Sequence, residues 1–181
     1  MKHFLLIFIL IILGVSARAQ SYNDVISDSI VTEFLNAYLD KIAHEFDTRT
    51  NDSLLLIKQP IELMNSKNLS SQIINWNSLF EDGETNVDSI FSPQDKLFII
   101  QQEQSRKEFL WNIKFNIIDL KDLGLDEDSF RISMPLFSKS RNVVIIKRYY
   151  DCGEDCGDEW ISIYKRINKK WKEIYGWGFV M

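Results

Sequence analysis

The chain has 181 residues, with 26 acidic and 21 basic side chains and a formal net charge of −5. An acidic chain without a basic stripe is poorly suited to bind nucleic-acid phosphates, so we expect no nucleic-acid partner. The hydrophobic content of 45% and the aromatic content of 13% exclude a disordered chain and predict a folded core.

Residues 1–19 have the pattern of a signal peptide. Lys2 precedes an apolar run over residues 4–13, and Ala17-Arg18-Ala19 fits the small-x-small pattern of a cleavage site. The run is shorter than the about 20 apolar residues of a membrane span, although an uncleaved anchor is the alternative. We expect cleavage after Ala19, which removes Lys2 and Arg18 and takes the net charge from −5 to −7. Residues 20–181 are then predicted to form one exported domain, periplasmic or secreted, with no stable membrane span.

The first predicted element is an amphipathic helix over Asp24 to Phe46. Its apolar residues recur at three- and four-residue spacing, which places them on one face. His44 lies near the helix end, where a positive imidazole would suit the helix dipole. We interpret His44 as a surface or half-buried helix residue rather than as a catalytic group.

Short elements are predicted next along the chain. The runs at 53–57 and 61–64 fit one or two short strands, and residues 65–85 show no clear pattern. Ser92 then fits a helix N-cap, with Pro93 in the first turn and an acidic residue after it. This pattern predicts a second short helix that ends at about residue 104.

The second half of the chain is rich in residues that favour β-strands. Strands are predicted around 109–119 and over four later runs, 130–136, 143–150, 160–167 and 171–180. Short connections between the four later runs predict an antiparallel meander. The predicted fold class is α+β, with the N-terminal amphipathic helix and the second short helix packed on a C-terminal antiparallel sheet.

The only two cysteines, Cys152 and Cys156, lie between two predicted strands. An exported chain keeps such a pair oxidised, so we interpret it as a disulfide that fixes the connection between the strands. Free thiols and a redox-active or metal-binding pair are the alternatives. The redox alternative is disfavoured because the spacing is not Cys-x-x-Cys and neighbouring carboxylates would raise a thiol pKa.

Charged residues cluster at both ends of the predicted hairpins. The acidic cluster consists of Asp151, Glu154, Asp155, Asp158 and Glu159. It lacks the frame of a calcium loop, so we interpret it as a solvated hairpin end, with a cation site as the alternative. The basic residues around Lys169 are also interpreted as a solvated turn, with a patch that binds nucleic acid or anionic lipid as the alternative. No motif for a cofactor, metal or catalytic set is recognised, and none is predicted.

Aromatic residues crowd the last two predicted strands. The set comprises Trp160, Tyr164, Trp171, Tyr175 and Trp177. Packing between neighbouring strands accounts for most of them, but alternation sends successive residues to opposite faces. We therefore predict a recognition surface here, for a partner protein or a carbohydrate.

Several short motifs follow one another in a distinctive order between residues 130 and 175. They are Ser133-x-Pro135-Leu136-Phe137-Ser138, Cys152-Gly153-x-x-Cys156-Gly157, and a hairpin with Lys170-Trp171. This order resembles a group of small exported bacterial proteins of unknown function, with a Ser-x-Pro-Ile-Phe-Ser segment, a Cys-Gly-x-x-Cys-Gly loop and a final Trp. The turn here departs from that pattern because it lacks Gly. The resemblance implies a fold and export but no catalytic residues.

These observations predict an exported, soluble, non-catalytic binding or interaction module. The alternative is a small exported enzyme or small-ligand-binding domain with a pocket between a helix and a curved sheet, using His44 or scattered carboxylates. A flat exposed patch around Trp160, Trp171 and Trp177 would favour the first prediction. A closed pocket that holds His44 or facing carboxylates would favour the alternative.

Overall fold

The predicted amphipathic helix forms over Asp28–Asp47 (α1). The computed structural model describes residues 22–47, 55–63, 76, 86–107, 110–111, 113, 115, 117–118, 128–152 and 156–180. The predicted signal peptide and all of the segment 65–85 except residue 76 lie outside these residues. Helix α1 begins at Asp28 rather than Asp24 because Asn23 Oδ1 accepts hydrogen bonds from the N–H groups of Val25 and Ile26 and holds them in a turn.

The strands form one sheet. Their bounds are Leu55–Ile57 (β1), Ile117–Ile118 (β2), Ser129–Ile132 (β3), Leu136–Phe137 (β4), Val143–Asp151 (β5), Gly157–Ile167 (β6) and Lys170–Val180 (β7). The order is β2-β1-β3-β5-β6-β7, with β4 also paired to β5. The strand pairs from β3 to β7 are antiparallel, as predicted, and the α+β fold class is confirmed.

The sheet as a whole is mixed, because β1 pairs in parallel with both β2 and β3. Parallel neighbours need long connections, and the described part of the long segment between β1 and β2 includes two α-helices. These are Val87–Ile90 (α2) and Pro93–Gln104 (α3). Of the strand predicted over 109–119, only the two residues of β2 form a strand among the described residues.

Helix α3 has the predicted N-terminus. Ser92 Oγ accepts a hydrogen bond from the Asp95 N–H at 3.2 Å, and Asp95 Oδ2 accepts one from the Ser92 N–H at 3.1 Å. These reciprocal bonds form a capping box, which satisfies two amide groups at the helix start. Near the other end, the Gln102 side-chain amide donates to the Phe137 carbonyl at 2.7 Å and accepts from the Phe137 N–H at 3.0 Å. Local sequence therefore starts α3, and one buried amide attaches it to β4.

The β6–β7 hairpin has a tight turn and a bulge. Asn168 and Lys169 both adopt positive φ, 51° and 64°, the combination that a two-residue type I′ turn requires. Asn tolerates this conformation, and the turn closes without a Gly. A bulge then shifts the pairing register between Ile163 and Tyr164. Beyond it, Gly176 lies opposite Ser162 and Gly178 lies opposite Trp160.

Part of the apolar core lies between α1 and the sheet. Phe34 of α1 is 0% exposed and packs against the aromatic rings of Tyr164 and Trp171, with ring centroids 5.6 and 5.2 Å away. Two ion pairs also join α1 to the hairpin. Lys41 Nζ lies 2.5 Å from Glu173 Oε2, and Arg166 Nη2 lies 2.5 Å from Glu33 Oε1. Helix α1 is therefore held against β6 and β7 along its length.

Cys152 and Cys156 lie at disulfide distance at the β5–β6 connection, with their Cα atoms 5.1 Å apart. This geometry fits the predicted bridge. A bridge across so short a loop should contribute about 2 kcal/mol, because it restricts the unfolded chain. We expect reduction to lower the free energy of unfolding by that amount in denaturant titrations of protein purified under non-reducing conditions.

The matched control for this prediction is the double variant Cys152→Ser/Cys156→Ser, whose stability should not respond to reductant. Intact mass should rise by two hydrogens when the natural chain is reduced under denaturing conditions. An unchanged mass would show that the thiols were already free and would reject the bridge.

Candidate functional site

A pocket opens between the C-terminal half of α1 and the sheet. Its volume is about 310 Å³, at the lower end of the range of small-ligand sites in proteins. Helix α1 contributes Tyr38, Lys41, Ile42 and Glu45 to its wall, and the sheet contributes Arg148, Asp158, Trp160, Ser162, Tyr164 and Glu173. The pocket is therefore a helix-on-sheet site of the kind expected for the alternative prediction.

Glu173 on β7 is the centre of the hydrogen bonding in this pocket. Its carboxylate accepts bonds from Ser162 Oγ at 2.7 Å and from Lys41 Nζ at 2.5 Å. Tyr164 Oη and Trp160 Nε1 lie slightly further away, at 3.4 and 3.5 Å. Lys41 also lies 3.4 Å from Glu45 one helical turn away. One carboxylate therefore connects α1 to both strands of the hairpin.

A second ion pair lies on the sheet side of the pocket. Arg148 Nη2 is 3.4 Å from Asp158 Oδ2 and 3.5 Å from Asp158 Oδ1. Both side chains are mostly buried, with 13% and 24% of their surfaces exposed. Arg148 lies opposite Trp160 in the β5–β6 register, so this pair adjoins the indole. With two cations and three carboxylates, the pocket lining carries a formal charge of −1.

The protonation states of the central groups are fixed around neutral pH. Burial opposes ionisation of Glu173, but hydrogen bonds from Lys41 and Ser162 outweigh it and lower the pKa of that carboxyl. Burial also disfavours the charged form of Lys41, yet the bond to Glu173 and its charge raise the Lys41 pKa. Burial, reinforced by the charge of Glu173, raises the pKa of Tyr164. All three shifts move the pKa further from neutrality.

The predicted recognition surface is divided between two faces of the sheet. Trp160 and Tyr164 line the pocket, and Trp171 packs against Phe34 beside it. Tyr175 and Trp177 lie opposite Ile163 and Ile161, so strand alternation directs them to the other face. They are partly buried against the core there. The five aromatic residues therefore do not share one exposed surface.

Among the residues that the structure describes, the remaining predicted site residues lie outside the pocket lining, except Asp158. His44 is exposed on α1 and does not line the pocket. Of the acidic cluster, Asp158 pairs with Arg148 in the pocket and Glu159 pairs with Lys147 at 2.6 Å. Glu154 and Asp155 lie outside the described residues. Among the residues that are described, no group of three or more potential metal ligands comes together.

Sequence reasoning missed Lys41, Arg148 and Glu173 as site residues. No local motif marks them, because they come from three distant elements and meet only when the strand register and the bulge are set. One signal was present in the sequence. Gly176 and Gly178 alternate with aromatic residues in β7, and glycine within a strand often marks a place where another group approaches closely.

No protein-family model, curated protein or solved structure matches this chain. Within the part of the chain that is described, no helix has both the length and the apolar character needed to cross a membrane.

Proposed function

We propose that this chain is an exported, non-catalytic binding protein whose pocket between α1 and the sheet holds one small polar ligand. The observation that carries the proposal is the pocket lining, in which an aromatic side chain, Trp160, adjoins two ion pairs. Ligand sites in proteins commonly combine apolar walls with a few placed polar groups, as this lining does. Export is supported by the N-terminal sequence pattern and by the closely spaced cysteines.

Binding is favoured over catalysis by the direction of the pKa shifts. A general acid or base works best with a pKa near the operating pH, where it both accepts and donates a proton. In this pocket Glu173 stays ionised, Lys41 stays positive and Tyr164 stays neutral around pH 7. Groups with fixed charge suit recognition of a ligand better than proton transfer.

A small ligand is favoured over a partner protein by the placement of the aromatic residues. A protein interface needs a broad surface with aromatic anchors near its centre. Here Trp160 and Tyr164 face a concave site, whereas Tyr175 and Trp177 lie on the opposite face of the sheet. A partner protein is therefore the second candidate, because no single surface brings these aromatic residues together.

The proposal predicts that Asp158→Asn weakens ligand binding while Glu159→Gln does not. The two residues are neighbours on β6, and each pairs with one cation, but only Asp158 lines the pocket. Loss of one charge-assisted hydrogen bond costs about 1.5–3 kcal/mol, or roughly a 10- to 150-fold loss in affinity. Ligand-observed NMR with a fixed set of small neutral, cationic, anionic and zwitterionic compounds would find ligands, and titration would give their affinities.

Thermal unfolding of both variants would verify that the substitutions leave the fold intact. Equal affinities of the two variants for every compound that binds would place binding elsewhere and contradict the proposal. If none of the compounds in the set binds, the proposal is contradicted as well.

A further inference from the structure

The indole of Trp160 lies across two glycines of β7. A Cβ atom added to Gly176 would lie 2.6 Å from Glu173 Oε1 and 2.7 Å from Trp160 Nε1, and one added to Gly178 would collide with the Glu159 carbonyl and with Trp160 Cε3 on the six-membered ring of the indole. Real side chains do not approach this closely, so only glycine leaves room for the ring at both positions. The indole therefore lies against the backbone of β7 at these two glycines, and the partly exposed ring lines the pocket.

The charged groups around this ring already have partners. Arg148 pairs with Asp158, and Lys41 pairs with Glu173. An ionic ligand would have to compete with one member of a pair for the other member. A neutral ligand with several hydroxyl groups avoids this competition, because each hydroxyl donates to a carboxylate and accepts from a cationic N–H group.

The combination of a flat aromatic face with charged hydrogen-bonding edges specifies the shape of such a ligand. It needs one apolar face to stack on Trp160 and hydroxyl groups around its rim to reach the ion pairs. A pyranose ring has this form, with C–H groups on its face and hydroxyls at its edge. The slightly positive C–H groups also suit the negative face of an aromatic ring.

We infer that the ligand of this pocket is a saccharide, one sugar ring of which stacks on Trp160 between the Arg148–Asp158 and Lys41–Glu173 pairs. This inference rests on the proposed function, because it names the ligand class of the same pocket. It assigns the apolar face of the ring to Trp160 and the hydroxyls to the two ion pairs.

The test uses methyl glycosides of glucose, galactose, mannose and N-acetylglucosamine as probes, with saturation-transfer NMR and titration as readouts. Mannitol is the matched control ligand, because it has the hydroxyls without the flat face of a ring. Acetate, choline and glycine represent anionic, cationic and zwitterionic ligands. We expect at least one glycoside to bind, with saturation transfer strongest at the C–H protons of its ring, and mannitol to bind at least tenfold more weakly.

Trp160→Ala should weaken glycoside binding at least tenfold, Trp160→Phe should weaken it less, and Trp177→Ala on the other face should leave it unchanged. Binding of a glycoside with equal affinity by the natural chain and by Trp160→Ala would overturn the inference. Binding of the charged probes but of no glycoside would overturn it and leave the proposed function standing. Binding of no probe from any class would overturn the saccharide inference and count against the proposed function too.

Discussion

Replacement of Phe34 with alanine should lower the free energy of unfolding by about 3–5 kcal/mol, the usual cost of removing a buried aromatic side chain. Phe34 is 0% exposed and its ring lies within 5.9 Å of four other aromatic rings, measured between centroids. Those rings belong to Tyr38, Phe137, Tyr164 and Trp171. No small movement of the backbone refills this space, because the rings come from α1, β4, β6 and β7.

Denaturant unfolding would measure this effect, with Leu97→Ala as the control. Leu97 is also apolar and helical but is 68% exposed, so its truncation should change stability by less than about 0.5 kcal/mol. A loss below about 1 kcal/mol for Phe34→Ala would show that α1 does not pack on the hairpin as described. It would also remove the basis for the pocket, because Tyr38 and Tyr164 line it.

The second large effect concerns Glu103, a carboxylic acid at the end of α3 that is only 6% exposed. Burial raises its pKa to about 7; the Arg106 guanidinium at 4.0 Å opposes the shift and Glu62 adds to it. The folded chain therefore holds the proton more tightly than the unfolded chain does. The contribution of this carboxyl to the free energy of unfolding is fully present below about pH 4.5, and it is lost as the pH rises through about 7.

Glutamine is neutral at every pH, so Glu103→Gln should remove this dependence. The free energy of unfolding of the variant, relative to that of the natural chain, should therefore rise by about 3 kcal/mol between pH 4.5 and pH 8. This figure is the product of the pKa shift and 1.36 kcal/mol per pKa unit. Glu62→Gln is the matched control, since Glu62 pairs with the same arginine at 3.0 Å but its side chain is 45% exposed. If the free energies of unfolding of Glu103→Gln and the natural chain differ by the same amount at every pH, the assignment of a buried carboxyl with a raised pKa is contradicted.

Local signals in the sequence were sufficient for part of the fold. The apolar stripe predicted α1, the Ser92 and Asp95 pattern predicted the start of α3, and alternation with short connections predicted the antiparallel pairs from β3 to β7. Each of these features depends on residues close together in the chain. The parallel pairs of β1 were not predicted, because they join segments that are far apart and too short to show a period.

The candidate site was harder to predict for the same reason. Lys41 and Glu173 are 132 residues apart in the chain, and their contact depends on the placement of α1 against β7. The bulge between the Ile163 and Tyr164 pairs leaves Ile174 of β7 unpaired and changes which β7 residues face the helix, so simple alternation from the turn misplaces them. Trp160 was predicted as part of a recognition surface, but its neighbours in sequence suggested a flat surface. Its register opposite Gly178 places it in a pocket.

The central claim, that the pocket beside Trp160 binds a small ligand, is tested most directly by the indole N–H signals in ¹⁵N–¹H spectra. The chain has five tryptophans, and Trp160→Phe would identify the signal of Trp160. During titration with a compound that binds, we predict that the Trp160 signal shifts and reaches saturation. The signal of Trp111, which is buried elsewhere, should not shift. A titration that reaches saturation without moving the Trp160 signal would contradict the claim.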